Sequence, residues 1–263
     1  MKERENLDVK LSAKPLKGFS SQQYYVGLVS LIVLFLVLLN IYALRPIGFG
    51  NFAIDEFGTI FIVLVMILQN VIAEIWGKKT AYKVTIFSIV VKLFIVFLTV
   101  LAVVFPYDAD RADLAENFNT VFKSHWRIEL ASMLSFAIAS LINIYFFVKI
   151  NAKLKKYLSG YKIVYLIATA LSAIVSRLLD NALFNTLAFA PVGLSVFEFD
   201  WRTLIFVTIN GAALQLFLEV TIVAVAVMHL AKRIKQKKLQ EENIKLVQTE
   251  QAVQSYFDGE KNE

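Results

Sequence analysis

The chain contains no cysteine and only two histidines, His125 and His229. Disulfides, thiolate chemistry and any metal cage built from Cys and His are excluded on that ground. Four prolines and ten glycines in 263 residues leave long apolar runs with few interruptions. Catalytic signatures are missing as well. There is no nucleophile elbow, no His paired with a Ser or Cys nucleophile, no Walker loop and no HExxH helix. The chain is therefore expected not to be an enzyme and to need no cofactor. Without a P-loop it cannot hydrolyse ATP, so any pumping is ion-coupled or borrowed from another protein.

What is present is hydrocarbon. Hydrophobic residues make up 58% of the chain, Phe alone contributes 22, and mean hydropathy is +0.63. A soluble domain averages about 45–50% apolar. Here the excess is gathered into six stretches, residues 24–44, 57–76, 81–105, 126–148, 163–189 and 203–230. Each is near the ~20 residues that a helix needs to cross a bilayer. The expected fold is an all-α integral membrane protein, a bundle of six transmembrane helices. The fifth stretch is long for a single span, so it is either tilted or broken near Asn181 or Asn185. Residues 1–23 form a polar, basic tail without a cleavage site, so the first helix is expected to remain as an anchor. The transmembrane domain then covers 24–230, and 231–263 is a charged tail whose first part, to 252, reads as a helical continuation. No soluble domain, low-complexity tract or strong internal repeat is visible.

Basic residues give the orientation. One side collects Lys2, Arg4, Lys10, Lys14 and Lys17, then Lys78, Lys79 and Lys83, then Lys149, Lys153, Lys155, Lys156 and Lys162, then the tail from Lys232 onward. The other side has Arg45, Arg111, Lys123, Arg127 and Arg202, beside acidic Asp108, Asp110, Asp113 and Glu116. The bias places both termini in the cytoplasm. It also accounts for the net charge of +6 without a nucleic-acid partner. The basic run Lys232–Lys238 ends the last span and lies within reach of anionic headgroups. An inside-positive bias without a targeting segment suits a bacterial inner membrane.

Against this apolar background, Glu74, Lys92, Arg177, Asp180 and Glu219 fall inside the spans. A charge at the bilayer centre costs about 2.5–3.5 kcal/mol on insertion scales, so such residues pair with one another or line a polar cavity. Gln215 and Glu219, four apart, share a helix face, as do Asn70 and Glu74; Arg177 and Asp180, three apart, can reach each other. Two cations face three carboxylates, which leaves one carboxylate for a proton or a donor-bearing ligand. Each residue also has a plainer reading. Arg177 and Asp180 can form a structural pair, Lys92 can neutralise a carboxylate for packing, and Glu74 can be hydrated near an interface. Asn70 and Asn143 can be interhelical hydrogen-bond glue. Taken together they favour a polar cavity. Aromatic residues near span ends, Trp76, Tyr145, Tyr161 and Trp201, read as interface anchors.

Two segments resemble a known family. Asn40-Ile41 ends the first span, and Asn70-Val71-Ile72-Ala73-Glu74-Ile75-Trp76-Gly77-Lys78-Lys79-Thr80-Ala81 follows a Gly-containing loop. That run resembles the signature of the queuosine-precursor transporters, also called VUT-type vitamin uptake transporters. Ser176-Arg177-Leu178-Leu179-Asp180-Asn181-Ala182-Leu183-Phe184, followed by Leu187-Ala188-Phe189, is similar to the family's second signature. The likeness spans about residues 36–230. Asn70 and Asn143 stand where the family has Asp, Gln215 stands where it has Lys, and its Pro-Tyr pair is missing. The resemblance implies import of 7-cyano- or 7-aminomethyl-7-deazaguanine, or of a related purine-like or vitamin-like solute. A carboxylate would accept two parallel hydrogen bonds from the guanine-like edge. Asp180 is the first choice for it and Glu74 the second, with Arg177 or Lys92 holding it ionised and Asn70, Asn143 or Gln215 reading the rest. The solute site is thus expected among Asn70, Glu74, Lys92, Asn143, Arg177, Asp180, Gln215 and Glu219. The proton is the candidate coupling ion and a homo-oligomer the candidate assembly. Two other readings stay open: a substrate-binding subunit that needs a separate energising complex, and a membrane scaffold that transports nothing.

Overall fold

A computed structural model describes residues 18–42, 45–49, 52–122, 126–192 and 198–260. The basic residues Lys2 to Lys17 and Lys123 lie outside the described residues. The elements, in chain order, are helix α1 (Ser21–Tyr42), strands β1 (Pro46–Phe49) and β2 (Phe52–Glu56), and helices α2 (Thr59–Trp76), α3 (Lys78–Val104), α4 (Ala112–Phe122), α5 (Trp126–Tyr157), α6 (Tyr161–Phe189), α7 (Trp201–Ile222) and α8 (Met228–Glu260). A π-helical stretch, Val223–Val227, lies between α7 and α8. Leu28–Met228 forms one compact unit; the chain before it and the chain after it form the other. In that second unit the Ser21 N–H donates to both carboxylate oxygens of Glu241, each at 3.2 Å.

Among the described residues, six helices are long and apolar enough to cross a bilayer: Ser21–Leu39, Thr59–Trp76, Lys78–Val104, Arg127–Tyr157, Tyr161–Phe189 and Trp201–Ile222. The all-α six-span fold read from the sequence is the fold observed. Helix α3 shows why a bilayer is required. Its buried residues are Ala81, Val84, Thr85, Ser88 and Lys92, a stripe at helical spacing that is small or polar at most positions. Its large side chains, among them Phe87, Phe94 and Phe97, are exposed. In water this helix would be inside out. With hydrocarbon as solvent, the polar stripe must turn inward and the phenylalanines may stay outside. Helix α6 sorts the same way, burying Ala168, Thr169, Ser172, Ala173, Ser176, Arg177 and Asp180 along one face. Small residues there let neighbouring backbones approach closely.

Helix α2 is the most buried of the six spans, and it packs on α3, α5 and α7. A single residue, Gly77, separates α2 from α3, and its φ of +90° is one that an L side chain rarely adopts. This turn fixes α3 antiparallel to α2, and the Thr80 hydroxyl donates to the Trp76 carbonyl at 2.9 Å. Helices α6 and α7 are joined side by side by three rungs. Arg177 meets Glu219, Asn181 meets Gln215 at 3.0 Å, and Asn185 meets Thr208 at 3.1 Å. Partner numbers fall as those of α6 rise, as antiparallel helices require.

Of the two readings of the fifth span the broken one falls, and two further elements went unread in the sequence. The fifth span is not broken: α6 is continuous through Asn181, whose side-chain N–H donates to the Arg177 carbonyl at 2.9 Å and to Gln215 on α7. Asn181 bonds back to its own helix and across to α7, and Asn185 bonds to Thr208, so neither side chain interrupts α6. Pro46–Phe49 and Phe52–Glu56 form a short antiparallel pair with an irregularity at Ile47/Gly48, in a loop too short to attract notice. The acidic segment after α3 contains a helix, α4, whose Leu114 and Phe118 are exposed.

The start of α7 is capped by Asp200, which accepts from the N–H groups of Arg202 at 3.1 Å and Thr203 at 3.3 Å. The Thr203 hydroxyl also donates to it. That hydroxyl, aided by the backbone N–H groups, holds the Asp200 carboxyl below its ordinary value of 3.8. A depressed folded value means the cap stabilises above the unfolded value and is lost as pH falls through the folded one. Hydrogen-exchange protection of the Arg202 and Thr203 amides, corrected for intrinsic rate, should therefore persist at neutral pH and fade below about 3.8. Asp200→Ala should remove it at every pH; protection that ignores both would show that the cap does not form.

Candidate functional site

A polar seam runs between α2, α3, α5, α6 and α7. At its centre Arg177 donates from Nε and Nη2 to Glu219 Oε2, at 2.9 and 2.7 Å. Both side chains are at most 1% exposed. The sequence pairing of Arg177 with Asp180 is thus replaced by a pairing across helices. Arg177 on α6 and Glu219 on antiparallel α7 meet across the interface between the two helices.

Beside this pair a second chain of hydrogen bonds joins three helices. Asn143 on α5 donates to Asn70 on α2 at 2.9 Å, and the Ser176 hydroxyl on α6 donates to Asn143 at 3.2 Å. Gln69, one residue before Asn70, donates instead to Thr85 on α3 at 3.0 Å. Gln215 is engaged by Asn181, so it sits one rung from the ion pair.

Lys92 and Asp180 lie toward the other end of α6. The Lys92 ammonium donates to the Ser132 hydroxyl on α5 at 2.8 Å, and it lies in the field of both Glu129 and Asp180. Asp180 lies near Ser135 and in the field of Arg177 and Lys92. Among the described residues Asp180 forms no direct ion pair, because Arg177 is committed to Glu219. Its carboxylate is therefore buried, in the field of both cations and ion-paired with neither.

Glu74 belongs elsewhere. Asn151 donates to it, and the Lys155 ammonium binds both its oxygens at 2.9 Å. Lys155 is well exposed while Glu74 is not, so the pair closes the seam at the end of α5 where its last basic turn lies. At the opposite end of α5, Arg127 donates to the carbonyls of Leu187 at 2.8 Å and Ala190 at 3.2 Å, with Glu198 at 3.5 Å. It satisfies carbonyls at the end of α6, which no further helical turn can reach. From the sequence Arg127 reads as a loop charge. The structure makes it a buried cap, beside Phe189 and Phe199, whose rings lie 4.9 Å apart.

The structure thus gathers Asn70, Asn143, Arg177, Asp180, Gln215 and Glu219 with Lys92 along one seam, and sets Glu74 at its end. Several buried polar atoms in the seam have no hydrogen-bond partner: Asn70 Nδ2, Arg177 Nη1, Glu219 Oε1, and the hydroxyls of Tyr165 and Thr169. Pairing is incomplete, with both donors and acceptors left over. An unmade buried hydrogen bond costs about 1–3 kcal/mol, so these atoms suit a solute that brings its own polar groups.

A family model described as "Putative vitamin uptake transporter" matches residues 56–231, about two thirds of the chain. The chain belongs to this family. No curated protein and no solved structure matches it significantly. Membership makes the six apolar helices those of a multi-pass membrane protein that handles a small solute, and all eight expected site residues lie within the matched region. It also speaks against the scaffold reading.

Sequence reasoning passed over Tyr165, Thr169, Ser135, Glu129 and Asn151. Of these, Glu129 and Asn151 lie near helix ends, where charge and amide groups pass as ordinary. Ser135, Thr169 and Tyr165 lie mid-helix but carry no formal charge. Only the helical spacing of Tyr165, Thr169 and Ser176 with Arg177 would have flagged them.

Removing one partner of a buried pair leaves the other uncompensated, at a cost of about 3–5 kcal/mol. Arg177→Met should therefore lower the melting temperature in detergent sharply. Adding Glu219→Gln to it should restore most of the loss. A double variant as unstable as the single one would mean that Arg177 is held by something other than Glu219.

Proposed function

We propose that this chain imports a planar, guanine-like solute, of the 7-cyano- or 7-aminomethyl-7-deazaguanine type, from outside the cell, with both termini in the cytoplasm. The observation that carries the reading is Asp180. A buried carboxylate in the field of Arg177 and Lys92, ion-paired with neither, suits an incoming ligand that brings hydrogen-bond donors. Adjacent N–H groups on a guanine-like edge match two carboxylate oxygens in parallel, and such bidentate bonds to a charged acceptor are the stronger kind. Asn70, Asn143 and Gln215 then read the remaining donors and acceptors, and their neutrality favours an uncharged heterocycle. The Glu74–Lys155 and Arg127–Glu198 pairs close the seam at the two ends of α5 and must part in turn for the solute to pass.

Proton coupling is the energising step most in keeping with Glu219. Opening its bond to Arg177 leaves an isolated carboxylate in low dielectric, which favours uptake of a proton. Glu219→Gln should then flatten the pH dependence of uptake, and an unchanged profile would remove Glu219 from coupling.

The deciding experiment is growth of a bacterium that cannot make queuosine, on external 7-cyano-7-deazaguanine, with and without this chain. Queuosine should enter tRNA only when chain and precursor are both supplied. Asp180→Asn should insert normally and abolish that rescue, since the amide replaces one acceptor with a donor. Full rescue by the variant would take Asp180 out of the site, and no rescue by the natural chain would reject the substrate.

A further inference from the structure

Away from the seam, the start of α3 beside the Gly77 turn meets the latter part of α5 through positive charge and aromatic rings. The Lys78 ammonium stands 5.1 Å from the centroid of the Tyr82 ring and 4.5 Å from that of Tyr145. The Lys149 ammonium lies 5.5 Å from the same Tyr145 ring and donates to its hydroxyl at 3.4 Å. Tyr82 in turn donates to the Leu141 carbonyl on α5 at 3.4 Å. Two ammoniums from different helices are thus gathered at one ring. Among the described residues neither forms an ion pair, and Glu74, four residues before Lys78, is taken by Lys155. Like charges held together repel, and an anion between them turns the arrangement favourable. No side chain caps the start of α3, so its free N–H groups add to the positive field.

Position says which anion. Lys78 opens the span Lys78–Val104, and Lys149 lies near the basic end of Arg127–Tyr157. The contacts Lys78–Tyr145, Tyr82–Leu141 and Lys92–Ser132 pair rising numbers on α3 with falling numbers on α5. The two helices therefore run antiparallel, and Ile86 comes level with Ile138. Both are exposed, by 56% and 43%, as are Val90 and Leu134 one turn deeper. Ile86, four residues after Tyr82, shares its helix face, and Ile138, seven before Tyr145, shares that one. Cations at the span ends, tyrosine rings beside them and exposed aliphatic side chains beneath follow the order of phosphate, glycerol and acyl chain. A water-soluble anion would use only the first of these layers.

We infer that Lys78 and Lys149, positioned by Tyr145 and Tyr82, bind the phosphate of an anionic phospholipid whose acyl chains lie along α3 and α5. The lipid ties α3 to α5 beside the Gly77 turn. Its binding is independent of the solute that the seam carries.

Native mass spectrometry of the full chain in detergent tests this with dioleoylphosphatidylglycerol, and with dioleoylphosphatidylcholine as the zwitterionic control. The phosphatidylglycerol should be retained in preference to the phosphatidylcholine. Lys78→Gln and Lys149→Gln should each weaken that retention about tenfold, the worth of one charge-assisted hydrogen bond. Lys153→Gln combined with Lys156→Gln removes as much charge from exposed positions further along α5 and should leave retention unchanged. Tyr145→Leu keeps every charge but removes the ring that gathers the two ammoniums, and should weaken retention several-fold. Phosphatidylglycerol should also raise the melting temperature of the natural chain, and millimolar inorganic phosphate should not. Equal retention of the two lipids would overturn the site, as would undiminished retention by the Lys78, Lys149 or Tyr145 variants. A loss in the Lys153 and Lys156 variant as large as in the Lys78 and Lys149 variants would mean diffuse surface charge. Stabilisation by inorganic phosphate equal to that by the lipid would give the cluster to a free anion and reject the phospholipid.

Discussion

The bond between Arg177 and Glu219 is the constraint around which the membrane unit is arranged. Two ions removed from water and lipid must satisfy each other, since the desolvation of either alone exceeds anything packing returns. Arg177 therefore has to face α7, and α7 has to present Glu219 at the matching height. Once that rung is set, Asn181 and Gln215 fall opposite each other one turn along, and Asn185 meets Thr208 beyond them. Register between two otherwise apolar helices, which dispersion alone leaves loosely defined, is fixed by three polar contacts.

The small residues of α6 serve the same end. Ala168, Ser172, Ala173 and Ser176 are buried on one face of α6, from which the Ser176 hydroxyl reaches Asn143, itself bonded to Asn70. Large side chains could not occupy that face. They are moved to the outside, where Phe87, Phe94, Phe97 and Phe217 meet lipid at no cost. The inversion of the usual inside–outside rule is the clearest structural mark of the solvent in which the chain works.

Helix α5 carries an ion-pair closure at each end, Arg127 with Glu198 and Lys155 with Glu74. Between them lies a column whose valences are only partly used. Membership of a vitamin uptake family and the partly satisfied seam thus point the same way.

Composition and hydropathy by themselves determined the six spans and their all-helical character, because a bilayer allows an apolar backbone few other solutions. They also picked out the charged residues, since an ion in a hydrophobic run is conspicuous whatever the fold. Partners were another matter. Arg177 is nearer to Asp180 in sequence but bonds to Glu219, 42 positions away, because α7 offers a desolvated oxygen where α6 does not. Glu74 left the centre for Lys155, and Arg127 left the surface to cap α6, for reasons that exist only once α5 is packed. The open hydroxyls of Tyr165 and Thr169 belong to the same class. A residue's charge is a property of the chain, but whether its hydrogen bonds are spent or available is decided by which helix stands opposite.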